Sequence, residues 1–280
     1  MTIQGGGPVA TALATIAKLG ATAAMLDVLG DDWRSSVIIN DFKQAGVVTE
    51  HIRIIRGADS PCACVLVNGQ DHSRSIIYHP GTVPELTPSD LPRPIIQSAK
   101  YLHLSGRHWD ASLRAIRWAH EAGVQVSFDG GAHRYRPEMR ELLPLVDLCI
   151  VARDFAIRYS QKVDIQETAS ALLSIGPKIV VITDGVRGSW TYTDSGDCFH
   201  QPAFLMSEVV DTTGCGDSYH GAFLFGLIKG WDVRKTAYFA SAVAALNSQH
   251  LGGRKGLPTF NEVQSFLENR PEKVAALTLA

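Results

Sequence analysis

The sequence predicts an α/β fold built on a largely parallel sheet. Short apolar runs of strand length alternate along the chain with longer segments whose apolar residues recur at helical spacing. The chain has 280 residues, of which 45% are hydrophobic and 19% charged, so it is long enough to bury a sizeable core. Strands that alternate with helices pair in parallel, because each crossover helix returns the chain to the same edge of the sheet.

The chain opens with a glycine loop, a helix and a strand. The glycine triplet at positions 5–7 precedes apolar residues at helical spacing from Val9, and Gly20 supplies the stop. Residues 23–29 follow as a buried strand. We therefore expect the glycine triplet to form the loop that leads into the first helix.

Capping residues mark the second helix, and the same alternation continues behind it. Asp31 and Asp32 precede residues 33–44, whose apolar side chains share one face, and Gly46 ends the helix. Further elements are expected as helices at 88–99, 111–122, 217–227, 233–247 and 261–267, and as strands at 101–104, 124–128, 147–151, 178–183, 189–193 and 204–210.

One stretch interrupts the alternation. Residues 62–67 and 75–78 are short β-type runs, and Asn68-Gly69 between them is a turn-forming pair. This pattern predicts a β-hairpin that projects from the α/β body, within a lid segment at about residues 58–82. Because no linker rich in Pro, Gly and Ser divides the chain, residues 1–280 are expected to form a single domain.

Charge and cysteine usage exclude several classes of partner. Lys and Arg number 26 against 28 Asp and Glu, a net charge of −2, and there is no basic stripe of the kind that binds nucleic acid. No apolar stretch approaches the ~18 residues that a membrane span needs. The five cysteines show no zinc-type spacing and are expected to be free thiols in a reducing cytoplasm. We therefore expect a cytoplasmic protein whose partner is a small molecule.

The segment that follows Val210 carries the most informative chemistry. A strand ends there, small residues make a turn, and an apolar helix begins near Asp217. The N–H groups of Gly214, Cys215 and Gly216 would point outward at the helix N-terminus and form an anion hole. A carboxylate beside such a hole is suited to accept a proton from a nucleophile that attacks the anion, which is the arrangement that phosphoryl transfer needs. The alternative is an aspartate that only caps its helix.

A second loop is a candidate for holding nucleotide phosphates. Thr183, Gly185 and Gly188 follow a buried strand with the spacing T-x-G-x-x-G, which also occurs in ordinary turns. Neither G-x-x-x-x-G-K-[ST] nor G-x-G-x-x-G occurs at the turn after Val210, so the P-loop and Rossmann motifs find no support there.

Three segments together resemble the signatures of one enzyme family, the ribokinase-like (PfkB) carbohydrate kinases. Residues 211–217 resemble its C-terminal signature, residues 5–20 followed by 30–32 its N-terminal signature, and residues 183–188 its nucleotide loop. The motifs occur in the family's order over nearly the whole chain. The resemblance implies a three-layer α/β/α ribokinase-like fold with a small β-hairpin lid, ATP as donor, Mg²⁺, and often a monovalent cation such as K⁺.

The resemblance also assigns roles to residues on the donor side. It makes Asp217 the base that deprotonates the sugar hydroxyl and assigns the transferring γ-phosphoryl group to Gly214, Cys215 and Gly216. The residues that it places at ATP are Thr183, Gly185 and Gly188, and those that it places at a monovalent cation are Asp211 and Thr213.

On the acceptor side the resemblance implies sugar contacts from the residues Gly6, Gly7, Thr11, Asp129 and Arg134. Similarity to the sulfofructose kinase subgroup, which phosphorylates 6-deoxy-6-sulfofructose at the 1-hydroxyl, extends over residues 5–12, 201–204, 209–213, 220–222 and 252–256. The same similarity makes Arg107, in the segment 106–109, the reader of the sulfonate. A guanidinium offers a planar fork of donors to such an anion. The alternative for Arg107 is a loop arginine paired with Asp110.

Four departures from the family pattern shape these expectations. Thr11 replaces the usual asparagine, and residues 76–79 differ from the subgroup, so fructose 6-phosphate, tagatose 6-phosphate or an unphosphorylated ketose are alternative acceptors. The family's Asn-x-x-Glu is absent at 152–155, where different metal handling is expected. Family members carry a first core strand and a first lid strand before the glycine loop. In this sequence Met1 lies only a few residues from Gly5, so both strands are expected to be missing. A start upstream of Met1 would supply them and favour the enzyme; the alternative is a catalytically impaired, kinase-fold binding protein. Dimerisation through the lid is expected, giving a homodimer.

Overall fold

The computed structural model of the protein describes residues 1–69 and 74–270, together with the backbone of 277–278. The chain forms two compact units. Unit 1 comprises Met1–Leu86, Met206–Phe225 and Ala242–Asn269, and unit 2 comprises Thr87–Leu205, Gly226–Ser241 and the segment from Arg270. The predicted α/β class is confirmed.

The elements are numbered in chain order. The helices are α1 Pro8–Lys18, α2 Trp33–Ala45, α3 Arg93–Ser98, α4 Trp109–Glu121, α5 Met139–Leu142, α6 Arg153–Ser160, α7 Ile165–Leu173, α8 Cys215–Ile228, α9 Val233–Asn247 and α10 Phe260–Glu268. The strands are β1 Asp27–Gly30, β2 Ile52–Ile55, β3 Cys62–Val67, β4 Arg74–His79, β5 Tyr101–Leu104, β6 Gln125–Gly130, β7 Leu148–Ala152, β8 Ile179–Thr183, β9 Ser189–Thr193, β10 Cys198–Gln201 and β11 Leu277–Thr278.

Unit 2 contains a seven-stranded sheet with the strand order β11-β10-β9-β8-β7-β6-β5. Strands β5 to β8 are parallel neighbours, whereas β9, β10 and β11 continue the sheet in antiparallel pairs. The sheet is therefore mixed rather than largely parallel. Its parallel part carries buried apolar runs, such as residues 180–182, as expected for strands covered on both faces.

Unit 1 contains a small parallel sheet and the predicted hairpin. Strand β1 pairs with β2, and its Leu29 packs in a core with Phe42 of α2 and Ala14 of α1. Strands β3 and β4 pair antiparallel from Cys62↔His79 to Val67↔Arg74, which confirms the hairpin. That register leaves residues 68–73 as the connection, longer than the two-residue turn that Asn68-Gly69 suggested, and 70–73 lie outside the described residues.

Two predicted elements are wrong. The helix expected at 88–99 is divided, because Leu91 is extended before Pro92, where a proline disfavours helical geometry for the preceding residue; a short 3-10 helix at Pro88–Asp90 and α3 take its place. The strand expected at 204–210 is irregular. The N–H groups of Val210 and Asp211 both donate to the Ser248 carbonyl, at 2.9 and 3.1 Å, and not to a strand.

Short elements account for what was not predicted. Strands β2 and β10 and helices α5, α6 and α7 span four to nine residues each, too few for a clear apolar period. Across the described part of the chain, no helix combines the length and the apolar character that crossing a membrane requires.

Candidate active site

In unit 1, residues 211–217 form a turn that leads into α8, and we call it the anion turn. Asp211 is 1% exposed, and its two carboxylate oxygens accept the N–H groups of Thr213 at 2.8 Å and Gly252 at 2.9 Å. A buried carboxylate thus joins the anion turn to the loop at 252–253.

Only glycine fits at the centre of this turn. Gly214 has φ +75°, and a Cβ there would lie 2.4 Å from the carbonyl oxygen of Gly253. That carbonyl accepts the Asn247 side-chain amide at 3.0 Å, so it is held on its other side. The close approach of two backbones therefore sets the course of the chain into α8.

Helix α8 begins at Cys215, so Asp217 is a first-turn residue and not the N-cap that the alternative proposed. The Cys215 N–H donates to the Thr212 carbonyl at 3.3 Å, which corrects the expectation that it points outward. For the N–H groups of Gly214 and Gly216, no acceptor occurs among the residues that the structure describes. These two donors at a helix N-terminus favour an anion.

The Cys215 thiol does not add a charge to this turn. Burial raises its pKa to about 12, and the nearby carboxylates of Asp211 and Asp217 act in the same direction, against a smaller effect of Arg74. The thiol is therefore protonated at pH 7 and adds no negative charge to the anion turn.

The anion turn and the glycine loop belong to the same unit because α8 packs tightly on α1. A Cβ at Gly221 would lie 2.3 Å from the carbonyl oxygen of Ala12, so glycine is required where the helices meet. Gly7, with φ +94°, is the N-cap of α1. A Cβ at Gly6 would meet no atom within 4 Å, so this part of the loop borders open space.

Thr11, predicted as a sugar contact, is 1% exposed and points at a residue that the sequence analysis did not assign. Its Oγ1 accepts the Nε of Arg254 at 3.1 Å, and the Nη2 of Arg254 donates to the Gly6 carbonyl at 2.9 Å. The segment around Arg254 was noted only as a similarity to a subgroup, and no local pattern indicated this contact.

The hairpin also reaches the anion turn. The Nη1 of Arg74, at the start of β4, donates to Thr212 Oγ1 at 3.0 Å. Arg74 was not predicted as a functional residue either. Its guanidinium places a positive charge beside Thr212, at the edge of the anion turn.

In unit 2, predicted site residues lie at one edge of the sheet. Arg107 follows β5, Asp129 is the last but one residue of β6, and Thr183 ends β8. Because these strands are parallel, their carboxyl ends lie at the same edge, where α/β sheets bind ligands.

The loop at 183–188, which we call the β8 loop, has a tight backbone contact of its own. Gly188 has φ +89°, and a Cβ there would lie 2.1 Å from the Gln201 carbonyl oxygen. The Asp184 carboxylate accepts Arg187 at 2.6 and 2.8 Å and Arg153 at 3.2 Å. Burial raises the pKa of Asp184, but the hydrogen bonds and charges of these arginines outweigh it and lower the pKa overall.

The predicted acceptor residues of unit 2 differ in burial. Asp129 is 1% exposed, and burial raises its pKa against the opposing charges of His103 and Arg134. Arg134 and Arg107 are exposed. The Arg107 carbonyl accepts the Ser112 hydroxyl at 2.7 Å, which holds the backbone before α4.

The residues predicted to hold a monovalent cation have suitable donors. Thr213 Oγ1 is buried and has no hydrogen-bond partner within the described part of the chain, and the Asp211 carboxylate lies two residues earlier. At 152–155, Arg153 pairs with Asp184, and Asp154 accepts the N–H of His133 at 2.9 Å. Where the family carries Asn-x-x-Glu, the charged side chains of Arg153 and Asp154 are therefore already engaged with other groups of the protein.

Comparisons with known proteins identify the family of the chain and its fold. The family model described as pfkB family carbohydrate kinase matches residues 1–260. The chain is 28% identical over 267 residues to an ATP-dependent ribose-1-phosphate kinase of Halopiger xanaduensis, covering 95% of this chain and 88% of the relative. It is 28% identical over 284 residues to a 5-dehydro-2-deoxygluconokinase of Shouchella clausii, covering 95% and 86%. A putative ribokinase II from E. coli, solved with ATP and Mg²⁺, superposes with a TM-score of 0.85 at 22% identity, covering 94% of this chain and 89% of that one.

Proposed function

Because the chain belongs to the pfkB family of carbohydrate kinases and has a ribokinase-like α/β fold, we propose that it transfers the γ-phosphoryl group of ATP to a hydroxyl group of an anionic sugar. One observation carries the proposal. Asp217 lies in the first turn of α8, close in sequence to the N–H groups of Gly214 and Gly216, for which no acceptor occurs among the described residues. A carboxylate base next to an anion-binding helix N-terminus is what phosphoryl transfer to an alcohol requires.

In this mechanism the Asp217 carboxylate accepts the proton of the sugar hydroxyl. The hydroxyl oxygen forms a bond to the γ-phosphorus, the bond from that phosphorus to the β–γ bridging oxygen breaks, and ADP leaves with the electron pair. The N–H groups of Gly214 and Gly216 stabilise negative charge on the transferring group, and fixed donors of this kind need no reorganisation during the reaction. Mg²⁺ bound to the phosphates would neutralise part of their charge.

A monovalent cation, K⁺ in the first instance, is proposed to bind at Asp211 and Thr213. The buried Thr213 hydroxyl oxygen without a described partner and the neighbouring Asp211 carboxylate are hard oxygen donors, which suit such an ion. Since the Asp211 carboxylate accepts the N–H of Thr213, the residues that would hold the ion also shape the anion turn.

Two considerations support an anionic acceptor. Arg107 is exposed behind a strand at the carboxyl edge of the unit 2 sheet, where a guanidinium is able to bind an oxyanion. The names of two relatives refer to anionic acceptors, a sugar phosphate and a sugar acid. Among ketoses, 6-deoxy-6-sulfofructose phosphorylated at its 1-hydroxyl is the first candidate, followed by fructose 6-phosphate and tagatose 6-phosphate.

The test is ADP release by the purified protein with ATP, Mg²⁺ and K⁺ across these three ketoses, ribose 1-phosphate, 5-dehydro-2-deoxygluconate, fructose and ribose. We expect turnover with one or more anionic acceptors, and a fall in kcat of ~10²-fold or more in Asp217→Asn with ATP binding retained. Glu167→Gln makes the same chemical change in the first turn of α7 and is expected to keep the wild-type rate. Turnover of neutral sugars alone would contradict an anionic acceptor, and an unaffected Asp217→Asn would contradict the mechanism.

A further inference from the structure

A buried arginine lies beneath the glycine loop of unit 1. Arg254 is 8% exposed, and it donates from Nη2 to the Gly6 carbonyl and from Nε to Thr11 Oγ1. Its guanidinium carbon lies 4.9 Å from the centre of the Phe42 ring. One side chain thus contacts the glycine loop, α1 and α2.

The backbone next to Arg254 continues this connection to the anion turn. The N–H of Gly252 donates to Asp211, and Gly253 lies against Gly214 with no room for a side chain between them. The three consecutive residues 252–254 therefore join the loop that borders the proposed acceptor space to the turn that carries the proposed base.

The glycine loop is shaped to lie on this guanidinium. A Cβ at Gly5 would stand 2.5 Å from Arg254 Nη1, so a side chain at this position would displace the guanidinium from where it lies in this structure. The N–H of Gly5 also donates to the Asp41 carboxylate, which holds the loop from the side of α2. Gly6, the next residue, is exposed, and a Cβ there would meet no atom of the described residues within 4 Å, so it borders the space that a ligand would enter.

This arrangement is costly in free energy. Nη1 of Arg254 is buried and has no hydrogen-bond partner in the described part of the chain. Burial lowers the pKa of Arg254 to about 10, and the carboxylates of Asp41 and Asp217 oppose this by favouring the charged form. A buried charge with incomplete hydrogen bonding is destabilising by itself, and such groups occur where function requires them.

We propose that Arg254 is a positioning residue that holds the glycine loop in place relative to Asp217 and thereby sets the affinity for the sugar acceptor. This inference rests on the proposed function. Thr11 takes part as the hydrogen-bond acceptor for Arg254 Nε, because its hydroxyl is committed to the arginine and is not presented to a sugar. Thr11 stands at the position where the family carries asparagine, and in this chain its hydroxyl accepts the hydrogen bond from Arg254.

The kinetic signature of this role is a selective effect on the acceptor. In Arg254→Gln the acceptor KM is expected to rise by about 10-fold or more while the KM for ATP stays within about twofold, because the lost contacts reach the acceptor loop. Thr11→Val is expected to raise the acceptor KM by about threefold, and the double variant to do no worse than Arg254→Gln, because the two residues act as one unit.

Arg140, which is exposed where Arg254 is buried, serves as the control for the loss of an arginine with the same types of contact. Arg140 lies 4.8 Å from the centre of the Tyr159 ring and donates to the Tyr159 carbonyl at 2.8 Å, so it shares the contact types of Arg254 in unit 2. Arg140→Gln is expected to leave the acceptor KM unchanged. An equal rise in acceptor KM for Arg140→Gln and Arg254→Gln would overturn the proposal, as would an acceptor KM unaffected by Arg254→Gln in a folded protein.

Hydrogen exchange of the full-length protein gives a readout that does not depend on turnover. The backbone amides of residues 5–7 are expected to exchange faster in Arg254→Gln and in Thr11→Val than in the wild type, while the amides of α4 stay unchanged. Unchanged exchange at residues 5–7 in both variants refutes the positioning role. Faster exchange in an enzyme that turns over no acceptor supports the positioning role and rejects the proposed function, so the two failures are distinguishable. If Arg254→Gln does not fold, Thr11→Val decides the matter by the same measurements.

Discussion

The anion turn of unit 1 and the β8 loop of unit 2 both contain a close glycine contact, but their aspartates are held by different kinds of partner. Each contains a glycine with positive φ that lies against a backbone carbonyl, Gly214 against Gly253 and Gly188 against Gln201. Each also has an aspartate. Asp211 is buried and bonded to backbone N–H groups, whereas the Asp184 carboxylate is held by arginine side chains.

This difference indicates which contacts can be lost in each turn without displacing its backbone. Backbone-to-backbone contacts at a glycine allow no side chain and little movement, so the anion turn is expected to be rigid. The arginine partner of Asp184 at position 187 has a side chain that is 61% exposed, and exposed ion pairs contribute about 0–1 kcal/mol. The β8 loop is therefore expected to tolerate the loss of its ion pairs but not of its glycine contact.

The largest effect is expected for Gly214→Ala. The new Cβ would overlap the Gly253 carbonyl, and alanine disfavours φ +75°, so the turn has to move and the Gly214 and Gly216 N–H groups move with it. Removal of one such donor costs ~10²–10³-fold in kcat, and we expect a loss of this size in steady-state assays. At Gly216 a Cβ meets no atom within 4 Å, so Gly216→Ala is expected to preserve the thermal unfolding midpoint. Near-normal turnover of Gly214→Ala would show that the anion turn is not rigid.

A smaller effect is expected for Gly188→Ala in the β8 loop. Its Cβ would overlap the Gln201 carbonyl, so the loop has to shift; if that loop holds ATP, the KM for ATP rises by about 10-fold with a smaller change in kcat. Gly196→Ala is the control, because Gly196 has φ +98° in the same unit but a Cβ there meets no atom within 4 Å. An equal rise in the KM for ATP in both variants would attribute the effect to backbone strain and not to the loop.

The sequence predicted a turn of small residues that leads into a helix at 211–217 because the relevant residues are local; anion binding by this turn stays a prediction. Gly214, Gly216 and Asp217 lie in one short segment, and their order alone indicated an anion-binding turn followed by a helix. The bounds of β9 and α9 were likewise predicted correctly, since each has a clear apolar period. The start of α8 at Cys215 differs by two residues from the expected start, and this shift moves Asp217 from a cap to the first turn.

The contacts that position this chemistry were not predictable from local patterns. Arg254 and Thr11 are 243 residues apart in the chain, and Arg74 and Thr212 are 138 apart. No periodicity or spacing in the sequence indicates such contacts, because they form between segments that are distant along the chain. The strand predicted at 204–210 was wrong for a similar reason, since the N–H of its last residue, Val210, donates to the carbonyl of the distant Ser248.

The smallest effect is expected for the ion pairs of Asp184, and it depends on pH. Because the pKa of Asp184 is lowered in the folded state, its contribution to stability is present above the ordinary aspartate pKa and is lost as the pH falls through the lowered value. Asp184→Asn should therefore lower the free energy of unfolding at pH 7 by about 1 kcal/mol or less, and the difference from the wild type should shrink towards pH 3. Urea titrations at pH 7, 5 and 3 measure this difference. Asp194→Asn, at an exposed aspartate of the same unit, serves as the control and is expected to change the free energy of unfolding by no more than about 0.5 kcal/mol at pH 7. A gap that stays constant down to pH 3 would mean that the arginines stabilise the β8 loop through packing and not through the charge of Asp184.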